Sequence, residues 1–301
     1  MPPEGQNHPK KTTRRAHAYG STAMSTTNDD MIAFWNGPGG DAWARNADDQ
    51  DRELEGLGDA ALGALGAAAG ESVLDVGCGP GTTTLALART VGVGGRVVGV
   101  DISAPLLAVA RRRAGGMGNI TFVEADAQTT TPRGAPFDAV FSRFGLMFFD
   151  RPEVAFANLH RATSRVGRLA FVCWQEASAN PWFLAPLMAV MGVPGLDPPP
   201  PPGPEDPGPF AFADPDLVRR IHTVGGWRDP ELRSYTDEIV DDLDQRVAFS
   251  LRQGPASRAL QGATDEVREA AAARVRDALS AHVTDGRVRL GRAAWIVTAQ
   301  A

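Results

Sequence analysis

Val73-Leu-Asp-Val-Gly-Cys-Gly-Pro-Gly-Thr82 is the stretch that decides the fold. Val73, Leu74 and Val76 form an apolar run of buried-strand type around Asp75. Glycines follow at 77, 79 and 81, and from Thr82 the run TTTLALARTV reads as a helix opened by hydroxyls. A strand, a tight glycine turn and a helix N-terminus make a cradle for part of a nucleotide-like ligand. Glycine takes positive φ without steric cost and lets a ligand approach the backbone.

Three details narrow the kind of cradle. The dinucleotide fingerprint G-x-G-x-x-G wants a third small residue at position 82, whereas here Gly81 comes one place early and Thr82 follows. Asp75, two residues before the first glycine, would repel a pyrophosphate but suits a ligand that carries an ammonium and a sulfonium. Downstream, Val97-Val-Gly-Val-Asp101 is a second strand ending in an acid, placed to accept hydrogen bonds from two ribose hydroxyls.

On these residues the chain resembles the class I S-adenosylmethionine (SAM) dependent methyltransferases of the small-molecule, UbiE-like type. VLDVGCGPG looks like that family's first motif and VVGVDIS like its second. The motif similarity covers roughly residues 70–175. The resemblance implies an α/β fold: a Rossmann-like, doubly wound seven-stranded sheet of order 3-2-1-4-5-7-6 whose seventh strand is antiparallel. It also implies SAM as cofactor, S-adenosylhomocysteine as product, and no metal. Gly77, Gly79 and Gly81 would surround the methionyl part, and Asp75 would receive its ammonium, directly or through water. Asp101 would hold the ribose, and Ile102 would pack on the adenine. Asp126 and Ala127 match the place where the family binds the adenine amine and ring, although Asp126 is also a candidate helix cap. Cys78, Thr82 and Ser142 complete the expected cofactor set.

Composition excludes several chemistries. An apolar fraction of 43% and a charged fraction of 22% in 301 residues fit an ordinary globule of one large domain, with or without an insertion. The net charge is −6, and Lys10, Lys11, Arg14 and Arg15 stand in the first 20 residues, so the remainder is more acidic still. That argues against tight nucleic-acid binding, which rests on neutralising phosphates. Beyond Lys10 and Lys11 every basic residue is Arg, which removes Schiff-base, P-loop and general-base lysines. Cys78 and Cys173 lie in apolar surroundings and read as buried small hydrophobes, and the five histidines have no metal-ligand spacing. No apolar run approaches the roughly 18 residues of a membrane span. A cytoplasmic protein, monomeric or homodimeric, is expected.

Residues 1–27 read as a disordered tail, with Met24 as an alternative start, and residues 28–301 as the methyltransferase domain. Residues 28–66 form a helical cap broken at Asn36-Gly-Pro-Gly-Gly40, with Trp35 and Trp43 on either side. Trp43 or Trp35 either lies near the sulfonium, a contact of about 0.5–2 kcal/mol, or anchors the cap to the core. Arg45 and Arg52 either reach the ligand's carboxylate or face water. After the fourth strand, Phe137 to Ser142, Arg143 either fixes an anionic group or joins a structural ion pair. Phe144, Met147 and Phe148 line the acceptor pocket or belong to the core.

A fifth strand ends at Trp174, and the proline-rich segment after it, with Pro198–Pro202, cannot be regular structure. Residues 180–213 read as a lid with Trp174, Trp182 and Phe183 facing the acceptor; the alternative is a helix packed on the domain with a disordered loop. His222 is the candidate base should the acceptor be a hydroxyl.

The function expected is transfer of the SAM methyl to a small, apolar metabolite at carbon, oxygen or nitrogen, with secondary metabolism as the setting. Two other readings stay open: a SAM-binding protein that performs cyclisation or rearrangement instead, since fold and cofactor do not fix chemistry, and an NAD-binding oxidoreductase, which shares the strand, glycine turn and acid.

Overall fold

The computed structural model describes residues 28–196, 203 and 206–301. The tail expected over 1–27, the start at Met24 and the run Pro198–Pro202 lie outside the described residues.

β1 (Ser72–Val76) is buried along its whole length and pairs in parallel with β2 (Arg96–Asp101) on one side and β4 (Phe137–Arg143) on the other. β3 (Ile120–Glu124) joins β2, and β5 (Thr163–Trp174) joins β4, again in parallel. Strands covered on both faces need continuous apolar runs, which is why VLDV and VVGV show no alternation. β8 (Arg287–Gln300) runs antiparallel to β5, and β6 (Arg228–Asp241) runs antiparallel to β8 at the edge. A two-residue strand, β7 (Val283–Thr284), folds back on β8. The order is β3-β2-β1-β4-β5-β8-β6. With the short β7 set aside, this is the expected seven-stranded order with its antiparallel last strand.

Three helices precede the sheet: α1 (Asp29–Trp35), α2 (Pro38–Arg45) and α3 (Ala47–Leu65). The break between the first two falls at Asn36-Gly37, because Pro38 fits the first turn of a helix and starts α2 there. α4 (Thr82–Val91) and α5 (Ala104–Ala114) follow β1 and β2, and Ser103 caps α5 by accepting from the Leu106 N–H. α6 (Pro152–Ala162) passes directly into β5, which begins at Thr163, whose hydroxyl returns to the Leu159 carbonyl at 2.7 Å.

The C-terminal part holds α7 (Pro181–Met191), α8 (Pro215–Val224), α9 (Leu243–Arg252), α10 (Gly254–Ala259) and α11 (Asp265–Ser280). Two cores result. The larger fills both faces of the sheet around Leu74, Val140, Phe141 and Phe171. The smaller gathers Val190, Val247, Leu260, Val275 and Leu290, so that α7, α9, α10 and α11 close over the far ends of β6 and β8. β1 lies where the chain turns from building toward β3 to building toward β5, and the crevice of such a sheet opens at that switch point, outside the strand ends.

Candidate functional site

The glycine turn is held from below by the neighbouring strand: the Gly77 and Cys78 N–H groups both donate to the Val100 carbonyl, at 2.8 and 3.1 Å. Gly77 has φ +64, and a Cβ there would stand 2.8 Å from the Gly145 Cα. The turns after β1 and β4 therefore touch backbone to backbone, and both positions require glycine. Phe144, just before Gly145, holds φ +59, a conformation rare for a bulky side chain and worth noting at a strand end that borders the crevice.

The three acids stand at the ends of three adjacent strands, but in different settings. Asp75 is fully buried; its Oδ2 accepts from the Thr83 and Thr84 hydroxyls at 2.8 and 2.6 Å, and its Oδ1 has no hydrogen-bond partner. Burial pushes its pKa up to about 6, against the two threonine hydrogen bonds. Asp101 accepts from the Gly79 N–H at 2.7 Å and from the Ser103 N–H at 2.8 Å, and desolvation raises it to about 6 as well. Asp126 accepts from the Gln128 N–H at 2.9 Å, which is the helix-cap type of contact, while its Oδ2 is buried without a hydrogen bond; burial again raises its pKa. Unpartnered buried carboxylate oxygens are costly unless a ligand supplies the missing donor.

The cap helices cross over this end of the sheet. Asn36 donates to the Ile102 carbonyl at 2.8 Å and accepts from the Ala104 N–H at 2.9 Å, and the Ser103 hydroxyl donates to the Trp35 carbonyl at 2.7 Å. Asn28 bonds the Phe148 carbonyl and the Asp150 N–H on the β4 side. Between these anchors Trp35 packs edge-on against Trp43 and Phe148, with ring centroids 5.6 and 5.4 Å away. The indoles thus join the tip of β2 to the turn after β4, and Trp43 remains half-buried against the core.

Several expected site residues have other occupations. The Ser142 hydroxyl is fully buried, donating to the Val76 carbonyl at 2.8 Å and accepting from the Gly145 N–H at 3.2 Å, so it fastens β4 to β1 and has no capacity aimed at a ligand. Cys78 and Ala127 are buried, and burial raises the Cys78 thiol far from ionisation; what either offers a ligand is backbone. Thr82 donates its hydroxyl to Asp51 at 2.6 Å. Arg143 is paired with the same Asp51, at 2.7 Å, which is the structural ion pair of its two readings. Arg52 pairs with Asp49 and is largely exposed.

His222 corrects the base expectation. It is fully buried on α8, its Nδ1 lies 2.7 Å from the Val218 carbonyl, and its ring stacks on Phe171 at 5.6 Å with Phe156 against its edge. Desolvation lowers its pKa to about 4. A neutral ring sealed among phenylalanines serves the core and cannot collect a substrate proton.

The aromatic residues proposed for the acceptor form one connected series. Phe144 stacks on Trp174 at 4.3 Å, Trp174 meets Trp182 at 4.9 Å, Trp182 meets Phe183 at 5.6 Å, and Phe183 meets Phe210 at 4.7 Å. Phe144, Met147 and Trp174 are buried core members, whereas Trp182, Phe183 and Phe210 are half-buried. Residues 206–213 return over the turn after β4, where the Gly208 N–H donates to the Met147 carbonyl at 3.0 Å. α7 itself packs on α10, α11 and β8, the packed-helix alternative of its two readings.

Asp51, Asn36 and Asn28 carry contacts that the sequence did not announce. Their partners lie 31 to 122 residues away, and nothing in a local pattern marks an acid or an amide for such a contact.

A glycine turn facing an acid on the next strand, under a cap, in a sheet of this order, is the arrangement that the resemblance to the class I SAM-dependent methyltransferases implies. Residues 73–167 match the methyltransferase domain family. The chain is 35% identical over 118 residues to the ubiquinone/menaquinone biosynthesis C-methyltransferase UbiE of Pseudomonas aeruginosa, covering 38% of this chain and 46% of that protein. It is 38% identical over 106 residues to the demethylmenaquinone methyltransferase of Clavibacter sepedonicus, covering 35% and 42%. The chain thus spans less than half the length of these curated relatives. Among solved structures, its fold is similar to that of a candidate methyltransferase from Bacillus halodurans C-125, with a TM-score of 0.53 and 18% identity over 81% of this chain and 97% of that one. Among the described residues, no helix is long and apolar enough to cross a membrane, and no His, Cys, Asp and Glu side chains group as a metal site.

Proposed function

We propose that the protein transfers the methyl group of SAM to a small, apolar, ring-bearing acceptor. The observation that carries this reading is the pair of buried carboxylate oxygens without partners, Asp75 Oδ1 and Asp126 Oδ2, on either side of Asp101. The residues fit the cofactor: such a bed suits a nucleoside that brings amines and positive charge, and it repels a pyrophosphate. SAM supplies a methyl group already activated by its sulfonium.

The chain's own residues then need to bind, orient and dry the site. Gly77, Gly79 and Gly81 give a close backbone approach, Asp101 offers its carboxylate to the ribose, and Asp126 and Ala127 serve the adenine. Trp35 and Trp43 close the crevice from the cap side and exclude water. With His222 in the core, proton removal is left to the acceptor's own chemistry, which favours an electron-rich carbon, a thiolate or an unprotonated amine. The half-buried rings Trp182, Phe183 and Phe210, set nearly edge-on to one another, offer an apolar lining to the acceptor. Two relatives named for steps in quinone biosynthesis support a ring acceptor.

Incubation with methyl-labelled SAM and a panel of quinols, phenols and amines tests the proposal. Label is expected in an apolar ring compound, with S-adenosylhomocysteine released in step. Release that depends on a hydrophilic amine would overturn the acceptor class, and failure of SAM to bind would overturn the whole reading.

A further inference from the structure

Asp51 lies in the second turn of α3, and its carboxylate is divided between three elements. Oδ2 accepts from the Thr82 hydroxyl at 2.6 Å and from Arg113 Nη1 at 2.7 Å; Oδ1 accepts from Arg143 Nη2 at 2.7 Å. Arg113 also reaches the Pro80 carbonyl at 3.3 Å and the Thr82 hydroxyl at 3.0 Å. One carboxylate thereby ties the cap to the last residues of the glycine turn, to α5 and to the end of β4. Little of this cluster meets solvent: the side chains of Arg143 and Asp51 are 9% and 14% exposed. Burial pushes the Asp51 pKa up, but Arg143, Thr82 and Arg113 together outweigh it and hold the group ionised.

The opposite side of the same helix is fixed independently. Glu53 forms a two-pronged pair with Arg246 at 3.1 and 3.2 Å, and its backbone carbonyl accepts from Arg292. α3 is thus anchored to the C-terminal part by Glu53; Asp51 joins it directly to Thr82 and Arg143, and Asp48 on the same helix reaches the glycine turn only through Arg113.

We infer that Asp51 is a positioning residue of the cofactor site, holding Thr82 and Arg143 over the glycine turn so that the amino-acid end of the cofactor meets a fixed wall. The inference rests on the cofactor reading above. It assigns Asp51 to one end of the ligand, since Thr82 closes the turn around the methionyl part while Asp101 and Asp126 serve the nucleoside at the other end.

Calorimetry with two probes separates the ends: S-adenosylhomocysteine, and 5′-methylthioadenosine, which keeps the nucleoside and lacks the amino-acid arm. Asp51→Asn is expected to weaken S-adenosylhomocysteine by roughly tenfold or more, the scale of a lost hydrogen bond to a charged group, while 5′-methylthioadenosine binds as to the wild type. Asp51→Glu is expected to restore part of the loss. Asp49→Asn removes the same charge from the same helix, but its partners are Arg52 and Arg252, and both probes are expected to bind unchanged. Should Asp51→Asn fail to fold, Thr82→Val removes one member of the cluster and is expected to act in the same direction with a smaller loss. Equal weakening of both probes, or of neither, would overturn the assignment and leave the cofactor reading standing. Binding of neither probe by the wild type would overturn both.

Discussion

The two cores of this chain answer to different demands. Around β1 to β4 the polypeptide carries the features that the proposed function assigns to a ligand: three glycines at positive φ, two backbone turns in contact, and carboxylates kept in poor solvent. Around α7 and α9 to α11 it is shaped by packing, with Val190, Ala271, Val275 and Leu290 sealed from solvent. The match to the methyltransferase domain family covers residues 73–167 and ends before the second region begins. On the proposed function, a shared cofactor would impose a shared geometry on the first region and leave the second free to follow the acceptor.

The largest effect that would sharpen this contrast belongs to Gly77. A Cβ at this position meets the Gly145 backbone, which cannot swing aside as a side chain can. Gly77→Ala is expected to abolish S-adenosylhomocysteine binding and to cost about 1–3 kcal/mol in backbone strain, read by calorimetry and by the urea midpoint. Retention of full affinity would mean that the turn is not a ligand surface. Next comes Asp101→Ala, expected to weaken S-adenosylhomocysteine by about 1.5–3 kcal/mol, the range for hydrogen bonds to a charged group. Unaltered affinity would break the assignment of the ribose end.

The same acids set a pH dependence. Asp75 and Asp101 titrate near 6 in the folded state, above the ordinary carboxylate value of 3.8. An acid raised by folding contributes stability that is complete below its unfolded pKa and lost as pH rises through the folded one. The ligand-free protein therefore loses the contribution of these two groups between about pH 4 and 6. A positively charged ligand prefers their ionised form, so SAM affinity is expected to rise through the upper part of that window. Calorimetry in a series of buffers would show it, and a flat profile would separate the acids from the ligand's charge.

A smaller effect is expected at the second region's border. Trp182 is half-buried between Trp174 and Phe183 and donates its indole N–H to Asn180 at 2.9 Å. Trp182→Phe keeps an aromatic ring, though a smaller one, and drops that donor; it is expected to raise KM for the acceptor several-fold while S-adenosylhomocysteine affinity holds. Parallel loss of both would join the two regions into one site.

The first region was legible because each of its signals is local. An apolar run, glycines at fixed offsets and an acid at the next strand end lie within a single stretch, and the backbone conformations they permit follow from the residue types. The second region sent weaker signals. α10 spans six residues and β7 two, too short for a hydrophobic period to form. Ser142 looked like a ligand contact because its place at the end of β4 is visible in sequence, while its bond to Val76, 66 residues earlier, is not. Asp51 was invisible for the same reason, with Thr82, Arg113 and Arg143 lying 31, 62 and 92 residues away.

His222 shows how far the contrast between the regions reaches, and its replacement should have the smallest effect of all. Its Nδ1 faces a helix carbonyl, its Nε2 is buried with no partner, and its ring fills space between Phe156 and Phe171. His222→Leu removes the orphaned nitrogen and keeps most of the apolar contact, so stability at neutral pH is expected to change by no more than about 1 kcal/mol, and turnover to stay as it is. The pH dependence should nevertheless move. A histidine whose folded pKa falls from 6.5 to about 4 contributes stability above its unfolded pKa and loses it as pH drops through the folded one. The leucine variant is therefore expected to gain on the wild type as the pH is lowered between those two values, measured as the difference in thermal midpoints. A constant difference across that range would show that the ring does not titrate as a sealed core residue, and a collapse of turnover would return His222 to the chemistry.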